Sequence, residues 1–524
     1  MPFKDGEFME ETAAVRDRDE FDQTGFSRRD EADMAEQGKR QQLNRNFGFM
    51  SMLGFTTTMM CTWEAVFFAN STAMFNGGAV TLVYGFIFCF FGSMATAASL
   101  AELVSMAPTS GGQYHWVAML APPKLEVFLS WLTGEFVQSF KAGAADSSRD
   151  GLPLLGLLVL NYPSYDYQRW HGTLLLYAAL LVVFLVNTVG AKLLPKIEGF
   201  ILIIHTLGFF AILIPLVFLA PHGTPSFVFG TFINAAGWNN NGLAWFVGLI
   251  STNLPFIGYD GPCHMAEEVQ NASTIVPWCM ICTILLNGIL GFAIVLAFCF
   301  CVGDLEGALT SPTGYDFIEV FHNATNSNAA TSVMTSVLIT LVICASFGFL
   351  ASSSRQTWAF ARDKGLPFSD YLAYVNKRAA IPLRSIVFCG VVTALIGLIN
   401  VGSTVAFNAI VSLTIAGLFM SYMIPITLLI IKRCKGDYIR WGPWRLGPTG
   451  LYINIISVCF LTISIIFSFF PPGLPVTAVT MNWSVVVFPA VVIFGLIFYA
   501  VRGNKIYHGP VVERPIIITD EPHR

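Results

Sequence analysis

Runs of apolar residues recur along this chain of 524 residues, each close to the length of about 20 needed to cross the hydrocarbon core of a bilayer. No other feature narrows the possible folds so far. The runs fall at about 47–72, 78–104, 172–190, 197–220, 243–262, 278–302, 332–354, 385–401, 405–431, 450–470 and 483–501. A soluble protein could bury them only beneath a charged surface, and charged residues make up just 12% of the chain, about half the usual share. Lipid is therefore the solvent these segments suit, and the sequence predicts an all-α integral membrane protein in contact with a lipid bilayer. A net charge of −4 supplies no basic field for nucleic acid. The cysteines lie mostly inside apolar runs, as small hydrophobes do, and the Cys279–Cys282 pair is no exception. No metal or other cofactor is expected.

A twelfth slot between 125 and 160 is abnormal, because Lys141, Asp146, Arg149 and Asp150 interrupt it. Charges near a bilayer centre are expensive. With the N-terminal tail in the cytosol, however, the basic loops 355–384 and 432–445 face inward only if this slot also crosses. Three accounts of 135–156 stay open: a misread gene segment, a replaced helix, or a helix lining an aqueous path. No cleavable signal peptide is visible. The polar tail 1–46 reads as disordered and cytosolic. Of the sequons this topology places outside or at the outer edge, Asn323 lies farthest from the membrane and is the expected glycosylation site, ahead of Asn70 and Asn482.

Two spans carry signs of interruption. The first holds Thr62, Trp63, Glu64 and Ala65 mid-span. A carboxylate there can pair with an ammonium group, take a proton, or cap helix-break amides. The sixth holds Phe256, Gly258, Tyr259, Asp260 and Gly261 beside two prolines. Glycine and proline loosen the helical ladder, and the freed backbone groups can face a solute. Asp260 can bind solute, bind a proton or cap a half-helix. Phe256 can gate or pack. Trp63 and Tyr259 can offer cation–π contacts of about 0.5–2 kcal/mol each. His205 stands mid-way along the fifth span, where a histidine can carry a coupling proton or serve as a satisfied interhelical residue. Glu102, Arg355 and Arg362 stand at the cytosolic ends of spans two and eight, where they form an inner gate or an ordinary interfacial ion pair.

Three motifs then stand in order. They are Ala101-Glu102-Leu-Val-Ser-Met-Ala-Pro108-Thr-Ser-Gly111-Gly112-Gln-Tyr114-His-Trp116, Glu267-Glu268-Val-Gln-Asn271-Ala-Ser-Thr-Ile-Val-Pro277, and Ser353-Ser-Arg355-Gln-Thr-Trp-Ala-Phe-Ala-Arg362-Asp363-Lys364-Gly365-Leu-Pro367. With Cys61-Thr-Trp-Glu-Ala, they resemble the amino acid–polyamine–organocation superfamily, in particular its fungal amino acid, choline and γ-aminobutyrate (GABA) branch. The resemblance covers roughly 40–505 apart from 135–156. It implies a leucine-transporter-type fold of five-plus-five inverted repeats with two extra helices. It also implies alternating access around a midplane site that the third helix helps to line. Many relatives hold a substrate carboxylate on a glycine-rich break in helix 1. This chain has no glycine at Thr62–Ala65, which favours a substrate that presents a cation. By the same resemblance His205 stands near the place that coupling sodium occupies in sodium-driven relatives. Ser352 and Ser353 would be its ligands if sodium were used.

The expected organisation is a tail at 1–46, a transmembrane domain at 47–502 and a C-terminal tail at 503–524. Within the domain, repeats run over about 47–220 and 243–431, with peripheral helices over about 450–501. The expected function is secondary active uptake of choline, GABA, an amino acid or a polyamine. A proton is preferred to sodium as the coupling ion, the plasma membrane is the expected location, and both termini are cytosolic. The alternative is a nutrient sensor or inactive paralogue that no longer transports. No H-E-x-x-H or G-x-S-x-G motif points to an enzyme.

Overall fold

A computed structural model describes residues 27–144, 148–376, 380–402, 404–478 and 480–511. Among them, eight helices are long and apolar enough to cross a membrane, and a ninth apolar helix, Leu383–Ile399, is shorter. The three remaining slots are the interrupted ones. The protein is thus an all-α, multi-pass membrane protein, and its only sheet among the described residues is a two-residue pairing of β1 (Asn76–Gly77) with β2 (Ile233–Asn234).

The first slot is two helices, α1 (Phe49–Met60) and α2 (Thr62–Ala69). Between them Cys61 takes the left-handed conformation, φ 39° and ψ 49°, which costs an L-residue about 1–2 kcal/mol. Thr62 Oγ1 donates to the Pro255 carbonyl of slot six at 2.7 Å, a tertiary bond that helps hold the break. The ladder resumes when Ala65 N–H donates to Cys61 O at 2.9 Å. The first-turn amides of α2 therefore have no partner within the helix. The break needs no glycine, so the lack of one at Thr62–Ala65 does not remove backbone donors from this place.

In slot six, α7 (Asn241–Asn253) passes into a single 3-10 turn at Leu254–Phe256, because Pro255 has no N–H to continue the ladder. Gly258 then takes φ 115°, which favours glycine, and helix resumes for one turn at Gly261–His264. The two breaks lie five slots apart, one against the other.

Slot two is α3 (Ala79–Met106) and slot five is α6 (Leu194–Leu219). Slot three starts with α4 (Glu126–Ala144), whose Trp131 Nε1 donates to Gly365 O at 3.2 Å. It ends with α5 (Ser148–Asn161), whose Asn161 side chain donates to Ser332 Oγ at 3.0 Å. Gly365 follows the end and Ser332 lies near the start of α10 (Asn328–Arg362), slot eight. Slot three therefore runs from one face of the bundle to the other, as the loop charges require. The Lys141, Arg149 and Asp150 side chains, and all of Asp146, lie outside the described residues.

One face carries both tails, and we call it the tail face. Residues 27–46, expected to be disordered, are ordered there, and Arg28–Glu36 is a helix. Asp30 carboxylate oxygens accept from the Asn271 and Ala272 amides at 3.0 and 3.2 Å, capping α8 (Ala272–Cys301), slot seven. Arg45 donates to Ala266 O at 3.1 Å and to Val269 O, and pairs with Asp30 at 3.1 Å. Polar residues that read as a solvated tail are thus bound to backbone groups left open at the helix ends. Residues 1–26 lie outside the described residues.

On the opposite face α9 (Asp316–Thr325) packs Phe317 and Phe321 against Phe67 of α2, with ring centroids 5.9 and 5.2 Å apart. Asn323 is exposed there, whereas Asn70 and Asn482 are buried.

Candidate functional site

Glu64 lies in the first turn of α2 and is fully buried. Its Oε1 is 2.7 Å from His205 Nδ1 on α6, which brings together two residues that the sequence offered separately. Asn287 of α8 orients the pair. Its Nδ2 donates to Thr57 O at 2.9 Å, so its Oδ1 faces His205 Nε2 at 3.2 Å, and that nitrogen must donate. Nδ1 and Glu64 Oε1 cannot meet at 2.7 Å as two acceptors. One proton sits between them, on carboxyl or imidazole. Glu64 Oε2 has no hydrogen-bond partner among the described residues.

The Trp63 ring packs against His205 and Phe209, with centroids 5.6 and 6.0 Å away. Ala65 simply continues α2.

The slot-six residues form a second cluster, separate from Glu64. Asp260 Oδ2 accepts from Gln113 at 3.0 Å and lies 3.3 Å from His264 Nε2. The Tyr259 and Tyr422 rings lie tilted against each other, centroids 5.5 Å apart. Phe256 packs between Phe86 and Phe90 of α3, at 4.8 and 6.2 Å. Met59 lies where the two breaks meet. A Cβ built on Gly258, Gly261 or Gly348 would come within 3.5 Å of its side chain. Sequence reading missed Met59 because methionine in an apolar run carries no signal of its own.

At the tail face the three gate candidates separate. Glu102 pairs with Arg433, and its Oε1 accepts from Leu446 N at 3.0 Å. It therefore joins neither Arg355 nor Arg362. Arg355 Nε donates to Glu268 at 2.7 Å, and Arg362 grips both oxygens of Glu267 at 2.9 Å. Burial would raise the Glu267 pKa, but the Arg362 guanidinium outweighs it and holds the carboxyl below its usual range. Lys39 of the tail bonds Asp363, just past α10. Ser352 Oγ donates to Gly261 O at 3.5 Å, and the Ser353 carbonyl accepts from Thr357 Oγ1 at 2.8 Å.

Sequence reading also missed Glu198. It is buried on α6 two turns before His205, with Oε2 2.8 Å from Thr58 Oγ1.

A protein-family model described as amino acid permease matches residues 47–494. A putative amino acid/polyamine transporter of Macrophomina phaseolina is 32% identical over 438 residues, 83% of this chain and 96% of that one. A choline transporter of Saccharomyces cerevisiae is 32% identical over 476 residues, covering 89% and 83%. An amino-acid permease of Arabidopsis thaliana is 29% identical over 502 residues, covering 91% and 95%. The protein is accordingly a membrane transporter and not an enzyme. The match runs through both broken slots and all three motifs, and the chain belongs to the amino acid permease family.

Proposed function

We propose that this protein takes up a small amine-bearing solute by alternating access, coupled to a proton. The solute class is choline, GABA, an amino acid or a polyamine, in keeping with relatives named for choline and for amino acids and polyamines. The observation that carries the reading is the Glu64–His205–Asn287 network beside the helix-1 break. It holds one proton and leaves a carboxyl oxygen without a hydrogen-bond partner among the described residues. A cationic substrate that reaches Glu64 can pair with its carboxylate while His205 keeps the proton, so that both ions are carried together. A substrate carboxylate would find first-turn amides at the same break but would also meet Glu64, so a solute with its cation at this end fits best.

In this reading the tail face is cytosolic and the protein resides in the plasma membrane. Slots one to five and six to ten are inverted repeats, with slots eleven and twelve peripheral. Slot twelve has the least buried apolar window of the eight long spans, 11%, in keeping with that. The buried pairs Arg362–Glu267, Arg355–Glu268 and Lys39–Asp363 close the cytosolic side and must part for release.

The test is uptake of labelled choline, GABA and putrescine by cells expressing the full chain. Glu64→Gln is expected to abolish uptake while surface expression is retained, and unchanged uptake sinks the cation site. His205→Ala is expected to remove the dependence of uptake on external pH. If that dependence persists, His205 is structural.

A further inference from the structure

Glu198 is fully buried in a membrane-spanning helix, and among the described residues it has no cationic partner. Its Oε1 has no hydrogen-bond partner among the described residues. The hydrogen bond at Oε2 is informative, because a hydroxyl has only one proton to give. Thr58 Oγ1 stands 2.8 Å from Gly54 O and 2.8 Å from Glu198 Oε2. If Glu198 were a carboxylate, Thr58 would donate to it. The short contact with the Gly54 carbonyl would then hold no proton, and Oε1 would be a bare anion oxygen in fully buried surroundings. If Glu198 is a neutral acid, its O–H donates to Thr58 and Thr58 donates to Gly54 O. Both short contacts are then hydrogen bonds, and no charge is buried.

The groups around it agree with a neutral side chain. Thr58 faces it from α1, and Cys344 of α10 lies within electrostatic reach of both Glu198 and Glu64. Along α6 the next titratable group inward is His205, seven residues or about 10 Å on, with Glu64 beside it. The seal over Glu198 is a backbone contact. A Cβ on Gly54 would lie 2.7 Å from the Glu198 carbonyl oxygen, so α1 and α6 touch at this glycine. Any movement that parts α1 from α6 breaks the Thr58 bond and admits water to the carboxyl.

We propose that Glu198 is a second proton-binding site of the transport cycle, on the tail-face side of the Glu64–His205 pair. It is protonated while α1 and α6 are in contact and releases its proton to water when they separate. The balance is simple: the acid loses H⁺ to water, its carboxylate forms, and the proton it later regains comes from the Glu64–His205 side. This extends the proton-coupled reading above and depends on it for the role in transport, though not for the protonation state.

Two measurements on the purified full-length protein test it separately. The first is infrared spectroscopy in lipid at neutral pH, comparing wild type with Glu198→Gln. A carbonyl-stretch band of a buried neutral carboxylic acid is expected in wild type and missing in the variant. Spectra without a Glu198-dependent acid band overturn the proposal, whatever is transported. The second uses proteoliposomes with labelled choline as probe, driven by a pH gradient or by a sodium gradient. Glu198→Gln is expected to lose pH-driven accumulation at least tenfold while keeping choline exchange at equal pH, which needs no net proton release. Equal accumulation in variant and wild type overturns the proposal. Accumulation by wild type that follows sodium and ignores pH instead overturns the proton-coupled reading itself.

Discussion

Buried acids in this protein are set apart by what stands beside each one. Glu267 has both oxygens on Arg362 and a backbone amide of Ser110 at 3.1 Å, so it is held as a charge. Removing only one partner leaves the other uncompensated, at about 3–5 kcal/mol. Arg362→Ala should therefore cut folded, detergent-stable protein severalfold, and Arg362→Ala with Glu267→Gln should restore much of it in fluorescence-detected size-exclusion. Asp316 at the N-terminus of α9 is the reverse case. Its pKa is pushed up to about 6, chiefly by burial, against Asn70 and the Phe317 amide, which lower it. In the unfolded chain it titrates near 4. The neutral acid thus stabilises the folded form fully below pH 4, and this is lost as pH rises through 6, roughly 3 kcal/mol in all. Protection of α9 amides in hydrogen exchange, corrected for intrinsic rates, should fall between pH 5 and pH 7.5, and Asp316→Asn should flatten that change. Glu64 and His205 were legible because each is polar in the middle of an apolar run. Their bond was not, since it joins α2 to α6 across 141 residues of sequence. Glu198 stayed hidden for another reason: it opens the run at 197–220, where a charge reads as interfacial.

Among the elements, the two breaks differ in how they are encoded. Slot six announces its interruption through Pro255 and Gly258, residues that end a helix by themselves. Slot one has no such residue at Cys61, so its break is written in contacts with another segment, above all Thr62 to the Pro255 carbonyl. The slot-three crossing came from loop charges and not from its own composition. Phe256 was ambiguous because aromatic residues pack and gate with the same chemistry, and its α3 neighbours Phe86 and Phe90 could not be read from sequence. The α1–α6 crossing shows how little slack such contacts have. A Cβ at Gly54 would meet backbone atoms of α6 at 2.7 and 3.1 Å, which no rotamer change relieves. Gly54→Val should cost about 1–3 kcal/mol through overpacking, seen as a lower melting temperature in detergent. Gly199→Val, at a site with open space, should be near neutral in the same assay.

At the scale of the whole molecule, the bundle and its two faces were legible from run lengths and charge bias. The docking of the tail was not, because a polar segment shows no periodicity that predicts which backbone groups it will cap. Asp30→Ala should remove the α8 cap, worth about 1 kcal/mol, and leave the buried Arg45 uncompensated, at about 3–5 kcal/mol, measurable as a large drop in melting temperature. The face assignment predicts that Asn323→Gln abolishes any glycosidase-sensitive mobility shift, while Asn70→Gln and Asn482→Gln leave it unchanged. The tail contacts also have a consequence for biosynthesis. Lys39 donates to the carbonyl of Val511, 472 residues later in the chain. At about 5–20 residues per second, the ribosome supplies that partner roughly half a minute to a minute and a half after Lys39 has emerged. The N-terminal strap must wait until the spans between Lys39 and Val511 have been made before this tie can close. A nascent chain stalled before Val511 would lack that last tie, whatever the state of its membrane helices.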